Sequence, residues 1–158
     1  MRGKLPWYEN VVIPALLRHA RSTYGHAMRQ ALSEAGFGDI PKNGLYIMGG
    51  LALGAGNAPL GVLVKELGVS KQAAGQLVGT LVLRGYLESM VDPADRRKLT
   101  VTLTSRGREA ASAQAAARER IDAALIARVG LDDLRRTRRT LAALSDIGRN
   151  EQRDAVGG

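Results

Sequence analysis

The sequence contains no cysteine. That excludes disulfides, thiolate zinc sites and thiol-based redox sensing, and it agrees with a reducing cytoplasm, the expected location. With 2 histidines and no thiol, a zinc sensor is not expected either. Aromatic residues are scarce: 1 Trp, 4 Tyr and 1 Phe. An aromatic-rich pocket would have to draw on several of them. No run approaches the roughly 18 apolar residues that a membrane span requires. The opening "MRGKLPWYEN" has cations but no apolar stretch with a small-residue cleavage site, so a secretory leader is not expected.

Catalytic signatures are missing as well. His19 and His26 share one helix face. That spacing would suit a metal pair or a proton-transfer pair, but it is more typical of exposed helix residues. Glu34 and Asp39 have no partner at a characteristic spacing. "GGLALGAG" has glycines without the Lys-Ser/Thr ending of a phosphate loop, and there is no nucleophile elbow. The chain is not expected to be an enzyme, and no cofactor or metal is implied.

What the chain does have is positive charge. The formal net charge is +8 over 158 residues. Residues 59–108 hold 8 cations against 4 anions, whereas residues 109–158 hold 9 against 8. The excess therefore concentrates in the middle third. Nucleic acid, an anionic surface or acidic ligands are the partner classes this allows. A solvated surface would account for the charge equally well.

Periodicity supplies the architecture. "PALLRHARSTYGHAMRQALSEA", residues 14–35, repeats Leu17, Ala20, Tyr24, Ala27, Ala31 and Ala35 at three- and four-residue steps, an amphipathic helix with Pro14 in its first turn. "WYENVVI" before it reads as a short helical or extended arm. Beyond Pro41, "KNGLYIMGGLALGAG" reads as a helix in which Gly49 and Gly50 need a packing reason, because each costs about 1 kcal/mol against alanine. "GAGNAP" reads as a loop.

A short helix from Leu60 to Leu67 then ends at Gly68. Ser70 is placed to cap a second helix, "KQAAGQLVGTLVLRG", with an apolar stripe through Ala74, Leu77, Val78, Leu81 and Val82. Two helices around Gly68-Val69-Ser70 form a helix-turn-helix. The period then switches to two: "YLESMV" and "LTVTLT" read as a hairpin around "DPADRRK", with Leu99, Val101 and Leu103 on one face. Thr104 is placed to cap an alanine-rich helix over about 105–128, Gly130 breaks it, and a last helix carries Leu134, Leu141, Leu144 and Ile147 before a tail, "NEQRDAVGG", that reads as frayed. The fold class expected is mainly α with a small β-hairpin, a winged helix-turn-helix between long flanking helices.

The polar face of the second helix of the pair carries Lys71, Gln72, Gly75, Gln76, Gly79 and Thr80. Lysine meets phosphate or guanine, and glutamine pairs with adenine in the major groove. The turn of the hairpin carries Arg96, Arg97 and Lys98, cations suited to a narrow minor groove, with Asp92 and Asp95 placed to pair with them. A polar helix face or a charged turn alone is an ordinary surface. A helix-turn-helix followed directly by a basic wing points to double-stranded DNA.

The stretch "LGVLVKELGVSKQAAGQLVGTLVLRGYLE", with a wing pattern met by Asp95, Arg97, Val101, Leu103, Thr104 and Gly107, resembles the MarR family of bacterial transcription regulators. The resemblance covers about residues 14–150 and implies a single domain over 1–158. Within it, 41–104 would form the winged DNA-binding lobe, and 14–35 and 105–149 the dimerisation helices. It implies a homodimer on a pseudo-palindromic operator, with Ser70, Lys71, Gln72 and Gln76 facing DNA from the helix, Arg96 and Arg97 from the wing, and Asp95 supporting the wing. It further implies a ligand-responsive repressor with a pocket for a small aromatic or anionic effector. Candidate wall residues are Trp7, His19, Tyr24 and Tyr46, with Tyr8 and Met48 near them. Two positions depart from the family pattern: Gly79 stands where an acidic residue often holds the wing arginine, and Ser89 where arginine often follows the residue at Glu88. Both imply a looser wing. The alternative is an architectural DNA-binding protein with no effector.

Overall fold

The structure, a computed structural model, describes residues 6–157. Trp7–Asn10 forms one turn of 3-10 helix. Among the described residues six α-helices and three strands follow: α1 Ile13–Glu34, α2 Gly44–Leu53, β1 Asn57–Pro59, α3 Leu60–Leu67, α4 Lys71–Leu83, β2 Leu87–Val91, β3 Leu99–Leu103, α5 Ser105–Val129 and α6 Leu131–Val156. They fall into two compact units, the first ending at Arg118 and the second beginning at Glu119, within α5. The mainly helical winged-helix class expected from the sequence is the one observed.

The wing is not a two-stranded hairpin alone. "NAP", read as loop, is β1, and it pairs antiparallel with β3 through Asn57↔Thr102 and Pro59↔Thr100. The sheet order is β1-β3-β2, so the threonine-rich strand lies in the centre. On β3, Val101 and Leu103 are buried and Leu99 is exposed at the far end. Leu99 pairs with Val91 near the wing turn, beyond reach of the core that its alternation suggested.

The core of the first unit joins α1, α2, α4, the sheet and the start of α5 through Leu32, Met48, Leu81, Tyr86, Val101 and Ala110. In α1 the buried positions are Gly25, Ala27, Met28 and Leu32, while Ala20 and Ala35 of the expected stripe are exposed. The larger Met28 and Leu32 remove more apolar surface from water than alanine does, so they set the buried face. Gly49 has the expected packing reason, since a Cβ there would stand 2.7 Å from the Gln114 amide nitrogen. Gly50 has none and faces open space.

Gly68 ends α3 at φ 63°, the left-handed conformation that lets the chain turn directly into α4. Gly107 is required for a different reason. A Cβ there would overlap the carbonyl oxygen of Tyr86, and this close approach seats α5 against the base of the wing.

In the second unit α6 extends to Val156, through the stretch read as frayed. It has no buried residue, and Leu131, Leu141, Leu144 and Ile147 are all exposed. No helix among the described residues is long and apolar enough to cross a membrane.

Candidate nucleic-acid interface

The helix-turn-helix is built by local chemistry. Ser70 Oγ accepts from the Ala73 N–H at 3.1 Å, filling one of the donors that the first turn of α4 leaves open. Ala74, Val78 and Leu81 are buried and orient the helix. Lys71, Gln72, Gln76 and Gly79 are therefore exposed on the opposite side. The start of α4 also presents free backbone N–H groups and the positive end of the helix dipole beside Lys71, a setting that favours phosphate.

The wing turn is closed by its backbone: Asp92 N–H donates to Lys98 O, and Lys98 N–H to Asp95 O, each at 2.9 Å. Asp92 Oδ1 accepts from the Ala94 N–H at 2.8 Å. Asp95 Oδ1 accepts from the Arg97 N–H at 3.1 Å. Asp95 thus supports the wing through the main chain of Arg97, not through its guanidinium. Arg96, Arg97 and Lys98 are exposed, and among the described residues none of them forms an ion pair. Three cations at the tip are left to meet charge from outside.

The base of the wing is held by a cluster that sequence spacing did not disclose. The Tyr86 hydroxyl donates to the Asp39 carboxylate. Arg106 donates to the Tyr86 oxygen at 3.0 Å and pairs with Asp39 at 3.6 Å. Its guanidinium lies 4.6 Å over the Tyr86 ring and 5.3 Å over that of Phe37. Arg84 donates to the Asp39 carbonyl. Thr104 caps α5 as expected, accepting from Gly107 N–H at 3.0 Å, and its hydroxyl donates to Gly85 O at 2.6 Å. The Tyr86 hydrogen bond holds the Asp39 carboxyl below its ordinary range against an opposing effect of burial, with Arg106 and Arg84 assisting. Burial pushes the Tyr86 phenol up, and its bond to Asp39 adds to this. The cluster joins the α1–α2 loop, the α4–β2 turn and the first turn of α5, so it fixes the angle at which the wing leaves the core.

The family model that matches this chain is that of the MarR family, over residues 45–98, which is α2 through the wing turn. The chain has the winged-helix fold, and its segment from α2 to the wing turn is similar to the MarR family. That family is one of transcriptional regulators. No curated protein matches the chain by sequence. Among solved structures it is similar to a probable transcriptional regulator from Pseudomonas aeruginosa, at 25% identity over 85% of this chain and 98% of that one, with a TM-score of 0.65. It shares the fold of NadR in complex with 4-hydroxyphenylacetate, at 19% identity, 87% and 95% coverage and a TM-score of 0.71. It also shares the fold of a mutant MarR from E. coli complexed with operator DNA, at 19% identity, 87% and 96% coverage and a TM-score of 0.69.

Of the four candidate effector residues, Tyr46 lines a groove among the described residues. That groove, about 570 Å³, runs from Arg21 of α1 past Lys42 and Tyr46 to Glu66, Ala73 and Leu77 of the helix-turn-helix. Arg21 Nε donates to the Tyr46 hydroxyl at 3.1 Å, and its guanidinium lies 4.5 Å over the ring. Tyr24 packs against the core, His19 is exposed on α1, and Trp7, 72% exposed, stacks edge-on against Tyr8. Met48 is fully buried. Among the described residues no three His, Asp or Glu side chains gather to hold a metal.

Proposed function

We propose that this protein is a sequence-specific regulator that binds double-stranded DNA as a homodimer, with α4 in a major groove and the wing in the neighbouring minor groove. The observation that carries this reading is the exposed set Ser70, Lys71, Gln72 and Gln76 on a capped helix, followed by a wing tip whose Arg96 and Arg97 lack internal counter-charge. Gln72 and Gln76 read base edges, Lys71 and the helix start hold phosphate, and the two arginines enter the groove. A mutant MarR complexed with operator DNA shares this fold, which supports double-stranded DNA as the partner here.

Exposed Leu141, Leu144 and Ile147 on α6, with Trp7, Val12 and Ile13 near the start of α1, are the surfaces that a second copy covers. In this reading 14–35 and 105–149 dimerise, 41–104 bind DNA, and the single regulatory domain works in the cytoplasm. Two-fold symmetry gives an operator with half-sites about one helical turn apart. The groove at Tyr46 and Arg21 takes a small aromatic or anionic effector, and its position against Ala73 and Leu77 lets an occupant shift α4 and release a repressed promoter.

The test is footprinting and anisotropy on DNA flanking the chain's own coding region. Protection of an inverted repeat and a linear fall of log K with log salt are expected. No duplex binding at any salt overturns the reading. Phenolic acids that raise the thermal midpoint and weaken operator binding would place the effector.

A further inference from the structure

We infer that the Asp39–Tyr86–Arg106 cluster is a clamp that sets which half-site spacing the protein accepts, with Tyr86 a positioning residue for operator choice. This rests on the proposed reading of a dimer on a two-fold operator. Tyr86 is fully buried, so it acts on DNA through geometry and not through contact.

Two joints connect the winged lobe to the proposed dimerisation segments, one at α5 and one at α1. The α5 joint is held several times over. Thr104 N–H donates to Tyr86 O at 3.1 Å, and the Thr104 hydroxyl donates to Gly85 O at 2.6 Å. Gly107 approaches the Tyr86 carbonyl so closely that no side chain fits between them. These contacts reach the main chain and stand without the cluster.

The α1 joint is built differently. Met28, Leu32 and Phe37 carry apolar packing across it. Such packing is non-directional, so it holds the joint together without fixing its angle. Direction comes from Asp39, which carries three polar ties out of the α1–α2 loop. Its carboxylate accepts from the Tyr86 hydroxyl and pairs with Arg106 at 3.6 Å, and its carbonyl accepts from Arg84 at the end of α4. Arg106 closes the triangle by donating to the Tyr86 oxygen at 3.0 Å. The ion pair alone is weak, since its two side chains are 44% and 48% exposed. The buried Tyr86 hydroxyl, bonded to both partners, gives the pair its direction.

Arg84 caps the end of α4 and Tyr86 directly precedes β2, so one cluster orients the recognition helix and the wing together against the end of α1. One extra base pair moves a half-site by about 3.4 Å along the duplex and turns it by about 34°. A clamped lobe follows that turn only by breaking bonds, whereas a loosened lobe follows it freely. The clamp thereby converts spacing into a difference in affinity.

Binding is measured by anisotropy on the operator, on versions with one base pair added to or removed from the spacer, and on a version with one mismatched base pair per half-site. The wild type is expected to bind the altered spacings at least about tenfold more weakly than the native one. Tyr86→Phe keeps the ring and its edge contact with Phe37. In that variant the spacing ratio should fall below about threefold while the mismatch ratio stays as in the wild type. A variant that was merely less stable would lose affinity on every duplex alike and keep both ratios. Asp39→Ala should match Tyr86→Phe, and the double variant should lose no more spacing preference than either single one, because both remove the same bond.

A second measurement needs no DNA. The chain has no cysteine, so Ser22→Cys on α1 and Arg96→Cys at the wing tip, both exposed, supply two spin-label positions. Pulsed electron paramagnetic resonance on labelled chain diluted into unlabelled chain reads the distance within one protomer. A narrow distribution is expected in the wild type and a broader one once Tyr86→Phe is added. A wild type that binds no duplex overturns the operator reading and this inference with it. A wild type that binds, but without a spacing preference that Tyr86→Phe relaxes, overturns this inference alone. Equal distance distributions overturn it whatever the DNA results.

Discussion

The two compact units dispose of their apolar residues in opposite ways. The first buries Leu32, Met48, Leu81, Tyr86 and Val101 in one cluster and closes its turns with side-chain caps. The second consists of the end of α5 and all of α6, and α6 buries nothing while exposing a leucine–isoleucine stripe. Its ion pairs Arg135–Asp132, Arg136–Asp133 and Arg149–Asp146 are exposed i,i+3 contacts worth well under about 1 kcal/mol each. One unit is stabilised from within. The other has helix propensity and an uncovered face, so the stability of its packing has to come from another surface.

Paired glycine substitutions break that comparison most sharply. Gly107→Ala should destabilise the first unit by about 3 kcal/mol, because the new Cβ overlaps the Tyr86 carbonyl, which is backbone and cannot move aside. Gly148→Ala meets nothing within 4 Å and should be neutral or stabilise α6 by about 0.5–1 kcal/mol. Urea unfolding of both variants checks the contrast. Equal effects would show that the two units are packed alike.

Next in size is the exposed stripe. Leu141→Asp with Leu144→Asp should convert a dimer to monomers, since each leucine kept from water contributes about 1.5–3 kcal/mol and the symmetry of a dimer counts each twice. Sedimentation measures the mass. Far-ultraviolet circular dichroism should stay largely helical, because neither leucine belongs to a buried core. A monomeric wild type would refute the homodimer directly.

The residues proposed to face DNA test the first unit at its surface. Arg97→Ala should weaken operator binding about tenfold and lower the slope of log K against log salt by about 1, without change of dimer mass. Gln76→Ala should instead relax discrimination at one base pair, at a cost of about 1–3 kcal/mol on the cognate site. A variant at Arg97 that loses the dimer would show that the wing is not where this charge acts.

A smaller effect comes from the clamp. The folded state depresses the Asp39 carboxyl, so the cluster adds stability above the ordinary aspartate range near pH 4, and this is lost as pH falls through the folded value. Tyr86 is raised, so its contribution is present below about pH 10 and is lost as pH climbs through the folded value. Tyr86→Phe should flatten the pH dependence of unfolding at both ends and cost about 1 kcal/mol at neutral pH. Matching pH profiles for wild type and variant would remove the clamp from the account.

What the sequence disclosed and what it hid follow from the range of the interactions. The helix-turn-helix was legible because its signals are local: Gly68 at a left-handed turn, Ser70 three residues before the N–H it caps, and an apolar stripe at helical period. β1 was not, because "NAP" alternates nothing and becomes a strand only through pairing with residues 100–102. The clamp was hidden for the same reason, with Asp39 and Tyr86 lying 47 positions apart. Gln114 looked like one polar residue among alanines until the fold set its amide on the Leu45 carbonyl. Of the set proposed to face DNA, residue types and exposed faces could be read in advance. The role of Asp95 could not, since a carboxylate beside two arginines suggests an ion pair and the backbone N–H of Arg97 takes the bond instead.

The smallest effect concerns Gly79, where the well-packed unit has a gap in its own support. Its added Cβ would meet nothing within 4 Å, so a side chain fits there without rearrangement. α4 packs directly on β2, and the Arg97 guanidinium has no ion-pair partner among the described residues. Gly79→Asp should therefore slow hydrogen exchange at Asp95–Lys98, by giving the arginine an anchor on the neighbouring helix. Gly79→Ala supplies the control: it restores helix propensity, worth about 1 kcal/mol, without a charge. If alanine slows exchange in the wing as much as aspartate does, the gain comes from a stiffer α4 and the carboxylate has no part in aiming the wing. If aspartate alone slows it, the looseness of this wing traces to one missing carboxylate. DNA binding should then fall in that variant, because the anchor withdraws Arg97 and adds a negative charge on the face proposed to meet phosphate.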